Sequence, residues 1–277
     1  MSSYEEKCSR LRAMMKEYAK QNVAVAFSGG VDSSLLLKMA VAYAKEQGTM
    51  VYGITADTEL HPSGDMEIAE KVAKETGAEH ILLRIKELKQ VDILQNPIDR
   101  CYRCKKYLFG EMKKKAGQSG AVNLLEGTNA DDLLSYRPGI RAIEELGVKS
   151  PLKEAGLTKM EVRKLASEYG ISVADRPSAP CLATRFPYGE TLTSLKLKHV
   201  EQGEAFLKTL GFYNVRLRVH GEIARIEVDE AYMPELLERK REVAAYLKEL
   251  GYSYITLDLE GFRSGSMDIG LEASNEK

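Results

Sequence analysis

Val23-Ala24-Val25-Ala26-Phe27-Ser28-Gly29-Gly30-Val31-Asp32-Ser33 decides how the first half of this chain folds. The apolar run 23–27 has the length of a short buried strand, and the Ser-Gly-Gly turn ends it. From 32 to 46, Leu35, Leu36, Met39 and Tyr43 recur near helical spacing, and Gly48 closes the run. A strand, a glycine turn and a helix N-terminus in that order present backbone N–H groups to an anion. The Ser28 and Ser33 hydroxyls add donors, and Asp32 stands where it would hold magnesium or cap the helix. The Walker lysine is missing, so this is not the loop of motor-type nucleotidases. An ordinary glycine turn with Asp32 or Ser33 as N-cap is the plain alternative. The whole string Ser28-Gly29-Gly30-Val31-Asp32-Ser33, flanked correctly on both sides, favours phosphate binding.

Working outward, strands are expected at 50–55, 80–85 and 122–125, with helices at 64–76 and around 105–115. Short buried strands separated by helices imply a parallel sheet covered on both faces, an α/β fold. Ligands sit outside the carboxyl ends of such strands, where Ser28, Ala56 and Gly127 fall. Asn129 and Asp132 follow the fourth strand, as turn residues or as contacts to nucleotide or magnesium. Between 172 and 190 the pattern breaks at Pro177, Pro180 and Pro187, which marks a domain boundary. Residues 1–180 are then the parallel-sheet domain and 181–277 a smaller C-terminal α+β domain. The second domain carries a helix at 194–210, a hairpin of 215–220 and 223–228, a long helix to 250 and a strand at 254–259.

A length of 277 residues suits two domains, and 44% apolar residues suffice for their cores. A net charge of −1 argues against a wholesale polyanion binder, so a nucleic-acid partner is not expected. No apolar run approaches the ~18 residues of a membrane span. Residues 1–20 read as an amphipathic helix without the apolar core of a signal peptide, so a cytoplasmic location is expected.

The four cysteines are Cys8, Cys101, Cys104 and Cys181. Cys8 lies among Tyr4, Leu11 and Met15 as a packing residue. Cys101-Tyr102-Arg103-Cys104 opens the predicted basic helix, and Cys181 lies in the proline-rich segment. Two thiols three positions apart with a distant third allow a four-iron cluster with one open iron, a structural zinc site with a further ligand, or a redox dithiol. Arg185, beside Cys181, is a candidate to neutralise an activated acyl group, or a surface charge. Arg216 and Arg218 share one strand face and suit a phosphate or carboxylate; a solvated face pairing with Glu227 or Asp229 is the plain alternative.

The phosphate loop resembles that of the N-type ATP pyrophosphatase superfamily, which includes GMP synthetase, NAD synthetase and tRNA-thiolating enzymes. Cys181-Leu182-Ala183-Thr184-Arg185-Phe186-Pro187-Tyr188-Gly189-Glu190-Thr191-Leu192-Thr193 narrows this, because it is similar to the signature of the LarE family of sulfur transferases. Matching stretches include Glu126-Gly127-Thr128-Asn129 with Asp132, Tyr136-Arg137-Pro138-Gly139, Val215-Arg216-Leu217-Arg218 and Gly261-Phe262-Arg263-Ser264-Gly265. The resemblance implies ATP and Mg2+ bound at the loop, with Gly127, Asn129 and Asp132 nearby. It implies adenylation of the carboxylates of pyridinium-3,5-biscarboxylate mononucleotide, pyrophosphate release and conversion to thiocarboxylates. Arg216, Arg218 and Glu227 would hold that small nucleotide, and Asp32, Cys181 and Arg185 would carry the chemistry. Members with a lone cysteine at the position of Cys181 give up its sulfur. The presence of Cys101 and Cys104 is similar instead to the three-cysteine branch, implying a 4Fe-4S cluster on Cys101, Cys104 and Cys181 and an external sulfide donor. A homo-hexamer is implied as well. A tRNA thiolase, an amide-forming ligase and a non-catalytic nucleotide-binding iron–sulfur carrier are the rivals.

Overall fold

The computed structural model describes residues 2–134, 138–177 and 180–263, and within it the chain forms two compact units. One comprises residues 1–91 and 99–179, the other 92–98 and 180–277. Tyr136, Arg137, Ser264 and Gly265, part of the resemblance above, lie outside the described residues.

The first unit is built on a parallel four-stranded sheet of β1 (Val23–Ala26), β2 (Val51–Thr58), β3 (Glu79–Ile85) and β4 (Asn123–Leu125), ordered β3-β2-β1-β4. Its helices are α1 (Tyr4–Tyr18), α2 (Val31–Gln47), α3 (Gly64–Thr76), α4 (Glu87–Gln90), α5 (Arg100–Gln118), α6 (Gly139–Glu145), α7 (Pro151–Ala155) and α8 (Lys159–Glu168). Val23, Ala24 and Val25 are buried to the last atom because both faces of β1 are covered. Leu11, Met15, Leu35, Met39 and Val162 fill one core, and Ile54, Met112, Leu124 and Ile143 the other. Cys8 belongs to the first core, where burial pushes its thiol pKa up. The chain runs from β1 to β2 and β3 on one side, then returns to β4 on the other. The sheet therefore reverses direction of growth between β1 and β4, and a crevice outside their carboxyl ends is the expected ligand position.

The second unit has a three-stranded sheet, β5 (Val215–His220), β6 (Ile223–Val228) and β7 (Tyr254–Leu257). β5 and β6 form the hairpin, turning at Gly221 with φ +60°, and β7 lies parallel to β6. α9 (Ser194–Thr209), α10 (Met233–Glu238) and α11 (Lys240–Glu249) complete it. The expected long helix is two helices, because Arg239 turns the chain at φ −88°, ψ 8°. Val215, Leu217, Ala224, Ile226, Val200, Leu207 and Leu247 are buried. At Gly203 an added Cβ would meet Leu217 Cδ2 at 2.6 Å, so α9 rests directly on β5. Alternation sends Arg216, Arg218, His220, Arg225 and Glu227 to the other face.

Asp92–Ile98 belongs to this second unit. Asn96 is fully buried at φ +45°, a left-handed conformation that asparagine tolerates better than most residues. Its Nδ2 donates to the carbonyls of Phe186 at 3.0 Å and Pro187 at 2.7 Å, and its own carbonyl accepts from Gly189 N at 3.1 Å.

Candidate active site

In the first unit, Ser28-Gly29-Gly30 leaves the carboxyl end of β1 and opens α2. Gly29 has φ +69°, and a Cβ there would stand 3.0 Å from the backbone N and Cα of Ala69. Both conformation and space therefore demand glycine. Gly30 is the N-cap of α2, and no side chain caps that helix, so Asp32 is not its cap. An uncapped helix start with its dipole is an anion cradle. Val31 is buried and pins the first turn to the core. Ser33 Oγ donates to the Gly30 carbonyl at 3.1 Å and lies 3.3 Å from Ser28 Oγ. The two hydroxyls thus shape the loop internally.

Asp32 is held from two directions. Asn129 Nδ2 donates to its Oδ1 at 3.1 Å, and Lys159 Nζ forms an ion pair with its Oδ2. Gly127 brings the exit of β4 against α2: an added Cβ would meet Asp32 Cβ at 2.9 Å and Ser33 N at 3.1 Å. Asp132 Oδ2 accepts from Asn129 N at 3.0 Å, the turn-forming role. Gly127 and Asn129 thus stand against Asp32, and Ser28 joins them through Ser33.

Lys159 is a residue the sequence reading missed. It is the first residue of α8, whose capping box is formed by Thr158 and Glu161, and its N donates to Asp131 Oδ2 at 2.8 Å. The Thr158-Lys159-Met160-Glu161 string carries the helix-start signal, but nothing local to it points to the loop. Glu126, 5% exposed, accepts from Thr128 N at 2.9 Å, Thr128 Oγ1 at 2.7 Å and Ser150 Oγ, and so secures the loop after β4.

Cys101 and Cys104 stand one helical turn apart on α5, half-buried, and buried Arg100 donates to Cys101 Sγ at 3.7 Å. None of the four cysteines forms a disulfide. Among the described residues, no three His, Cys, Asp or Glu side chains gather closely enough to hold a metal ion.

In the second unit, Cys181 begins a 3-10 turn, Leu182–Arg185. Arg185 is not a surface charge: it is 2% exposed and pairs bidentately with Glu204, Nε at 2.7 Å and Nη2 at 2.9 Å. Arg218 pairs with Glu227 at 3.0 Å, but the pair is buried, with Arg218 4% exposed, and does not stand on a solvated face. Arg218 also donates to the Thr184 carbonyl at 2.8 Å. Arg225 takes the other Glu227 oxygen at 3.1 Å and approaches Asp258 at 3.3 Å. Arg216 differs from both. Among the described residues it has no ion pair; Nη1 donates to the Val215 carbonyl at 2.7 Å and the guanidinium lies 5.0 Å from the Phe262 ring. Burial, with Arg185 and Arg218 nearby, pushes its pKa down to about 10, the mark of a cation without enough compensating charge.

The PP-loop domain family matches residues 3–136, so the first unit carries an ATP-using loop of the pyrophosphatase kind. The chain is 37% identical over 268 residues to the pyridinium-3,5-bisthiocarboxylic acid mononucleotide synthase of Lactiplantibacillus plantarum, covering 97% of this chain and 96% of that one. It is 36% identical over 266 residues to an uncharacterised protein of Synechocystis, with 95% and 97% coverage. A tRNA-specific 2-thiouridylase of Rickettsia massiliae is more distant, 29% identical over 226 residues, 67% of this chain and 60% of that one. The chain belongs to the LarE family of ATP-dependent sulfur transferases. Among the described residues no helix is long and apolar enough to cross a membrane.

Proposed function

We propose that this chain adenylates the carboxylates of pyridinium-3,5-biscarboxylate mononucleotide with ATP and converts each acyl-adenylate to a thiocarboxylate. The observation that carries the reading is the cradle at the switch point: an uncapped helix start at Gly30, with Asp32 between Asn129 and Lys159. The substrate carboxylate oxygen attacks the α-phosphorus, and the bond to the β-phosphate breaks. Backbone N–H groups from Ser28 to Ser33 stabilise the departing pyrophosphate, and Lys159 adds positive charge. Asp32 is the carboxylate that meets ATP-bound Mg2+, with Gly127, Asn129 and Asp132 fixing the wall beside it. AMP then leaves with the original carboxylate oxygen as sulfur bonds to the carbonyl carbon.

Cys101, Cys104 and Cys181 are the thiols that the family resemblance assigns to a 4Fe-4S cluster, in which three thiolates would leave one iron without a protein ligand, although the described residues do not bring three such ligands together. When bound, such a cluster supplies a deprotonated sulfide as nucleophile, replenished by an external donor. Arg216, which has no carboxylate partner among the described residues, holds the phosphate of the substrate, and Arg218 with Glu227 frames it. Mass spectrometry of the polypeptide after turnover tests the sulfur source. An unchanged Cys181 with more than one thiocarboxylate per chain supports the reading, whereas conversion of Cys181 to dehydroalanine means single-use chemistry and rejects the cluster donor.

The similarity to a tRNA thiouridylase favours one second reading, thiolation of tRNA. A net charge of −1 opposes it. A gel shift with bulk tRNA at low salt separates the two. The family resemblance further implies a hexamer acting in the cytoplasm; sedimentation equilibrium measures its size.

A further inference from the structure

Resting on the reading of Cys181 as a sulfur-handling thiol, we propose that Arg185 is a positioning residue for it, locked by Glu204 so that its remaining nitrogen holds the cysteine turn. Nε and Nη2 are consumed by the two Glu204 oxygens. Nη1 points back along the chain, to Thr184 Oγ1 at 2.8 Å, the Pro180 carbonyl at 3.3 Å and the Cys181 carbonyl at 3.4 Å. Thr184 relays the hold, donating to the Cys181 carbonyl from Oγ1 at 2.7 Å and from N at 3.0 Å. The peptide group that sets the direction of the Cys181 side chain is thus gripped several times over.

The clamp is anchored deep in the unit. Glu204 lies on α9 with its side chain 4% exposed, and its Oε1 also accepts from Leu217 N of β5 at 3.0 Å. From the same strand, Arg218 takes the Thr184 carbonyl. Two guanidiniums therefore fasten the turn to a helix and a strand. An ion pair this buried gains little stability over a well-packed apolar pair, so stability alone does not account for it and another role is open. Orientation is that role, because a reacting atom misplaced by ~1 Å costs on the order of 100-fold in rate. A guanidinium grips two carboxylate oxygens and still has a third nitrogen to spare; an ammonium supplies the charge without that fork.

The test is Arg185→Lys in the full chain. In iron-free protein, iodoacetamide labelling of each cysteine is followed by peptide mass spectrometry. Cys181 is expected to alkylate at least about fivefold faster than in the unaltered chain, with Cys101 and Cys104 unaffected, as a freed turn opens more often. With ATP, substrate and sulfide, thiocarboxylate formed per pyrophosphate released is expected to fall about tenfold or more. A merely structural or charge-balancing role leaves that ratio unmoved. Alkylation of Cys181 within about twofold of the unaltered chain overturns the proposal. If the variant does not fold, hydrogen exchange in the unaltered chain decides. Protection of the Thr184 and Leu217 amides above about 100-fold supports the clamp, and exchange near the open-chain rate overturns it. Thiocarboxylate formation surviving in Cys181→Ser would defeat the reading of Cys181 alone, since the alkylation result reports on the clamp without it.

Discussion

Lys159 carries the sharpest expectation at the level of single residues. Its ammonium is the cation on Asp32, at a helix start that faces the loop. Lys159→Ala should reduce substrate-dependent pyrophosphate release on the order of 100-fold, as loss of one charge-stabilising group does, with little change in Tm. Steady-state kinetics and a thermal melt check both halves. Gly29→Ala should cost about 1–3 kcal/mol in a denaturant titration and abolish ATP binding, because the new Cβ would press on the Ala69 backbone in a strained conformation. Glu87 supplies a pH test. It is fully buried, one oxygen accepts from Leu60 N at 2.9 Å, and burial raises its carboxyl pKa above 4.5. The folded chain then holds the proton more tightly than the unfolded one. This group's contribution is greatest below the unfolded value and is lost as pH rises from there through the raised folded value. Melts across that window should show Glu87→Gln losing less stability with rising pH than the unaltered chain; parallel curves would refute this.

Elements differ in how far their own residues announce them. The phosphate loop was legible because a glycine turn between a strand and a helix is a local device; Gly29 and Gly30 bear out its backbone. β2 runs to Thr58, beyond the expected 50–55, since hydrogen bonding to β3 carries it past its apolar run. The break at Arg239 has no glycine or proline to signal it, although Pro234 fits the start of α10. What Asp32 touches could not be read locally, because its partners stand 97 and 127 positions away. The burial of Arg185 was hidden for the same reason: Glu204 sits on another helix, and an arginine in a proline-rich segment looks like a surface residue. Thr158→Ala removes the capping box that starts α8 and should cost about 1 kcal/mol in a denaturant titration. It should also weaken pyrophosphate release, since Lys159 follows the cap directly.

On the largest scale, each unit contributes different chemistry to the proposed reaction. The parallel sheet offers the nucleotide cradle and the Cys101/Cys104 pair; the smaller unit offers Cys181 and the arginine-rich sheet face. The units are not simple halves, since Asp92–Ile98 belongs with the second. A chain cut after residue 179 leaves Asn96 without the Phe186 and Pro187 carbonyls. Limited proteolysis should then cleave within 92–98, where the full chain resists. The account as a whole stands on ATP being split between its α and β phosphates when a carboxylate is presented. Phosphorus NMR of ATP with the protein, with and without pyridinium-3,5-biscarboxylate mononucleotide, measures this directly. AMP and pyrophosphate formed only with the mononucleotide are the expected result; ADP and phosphate, or cleavage indifferent to it, would contradict the account.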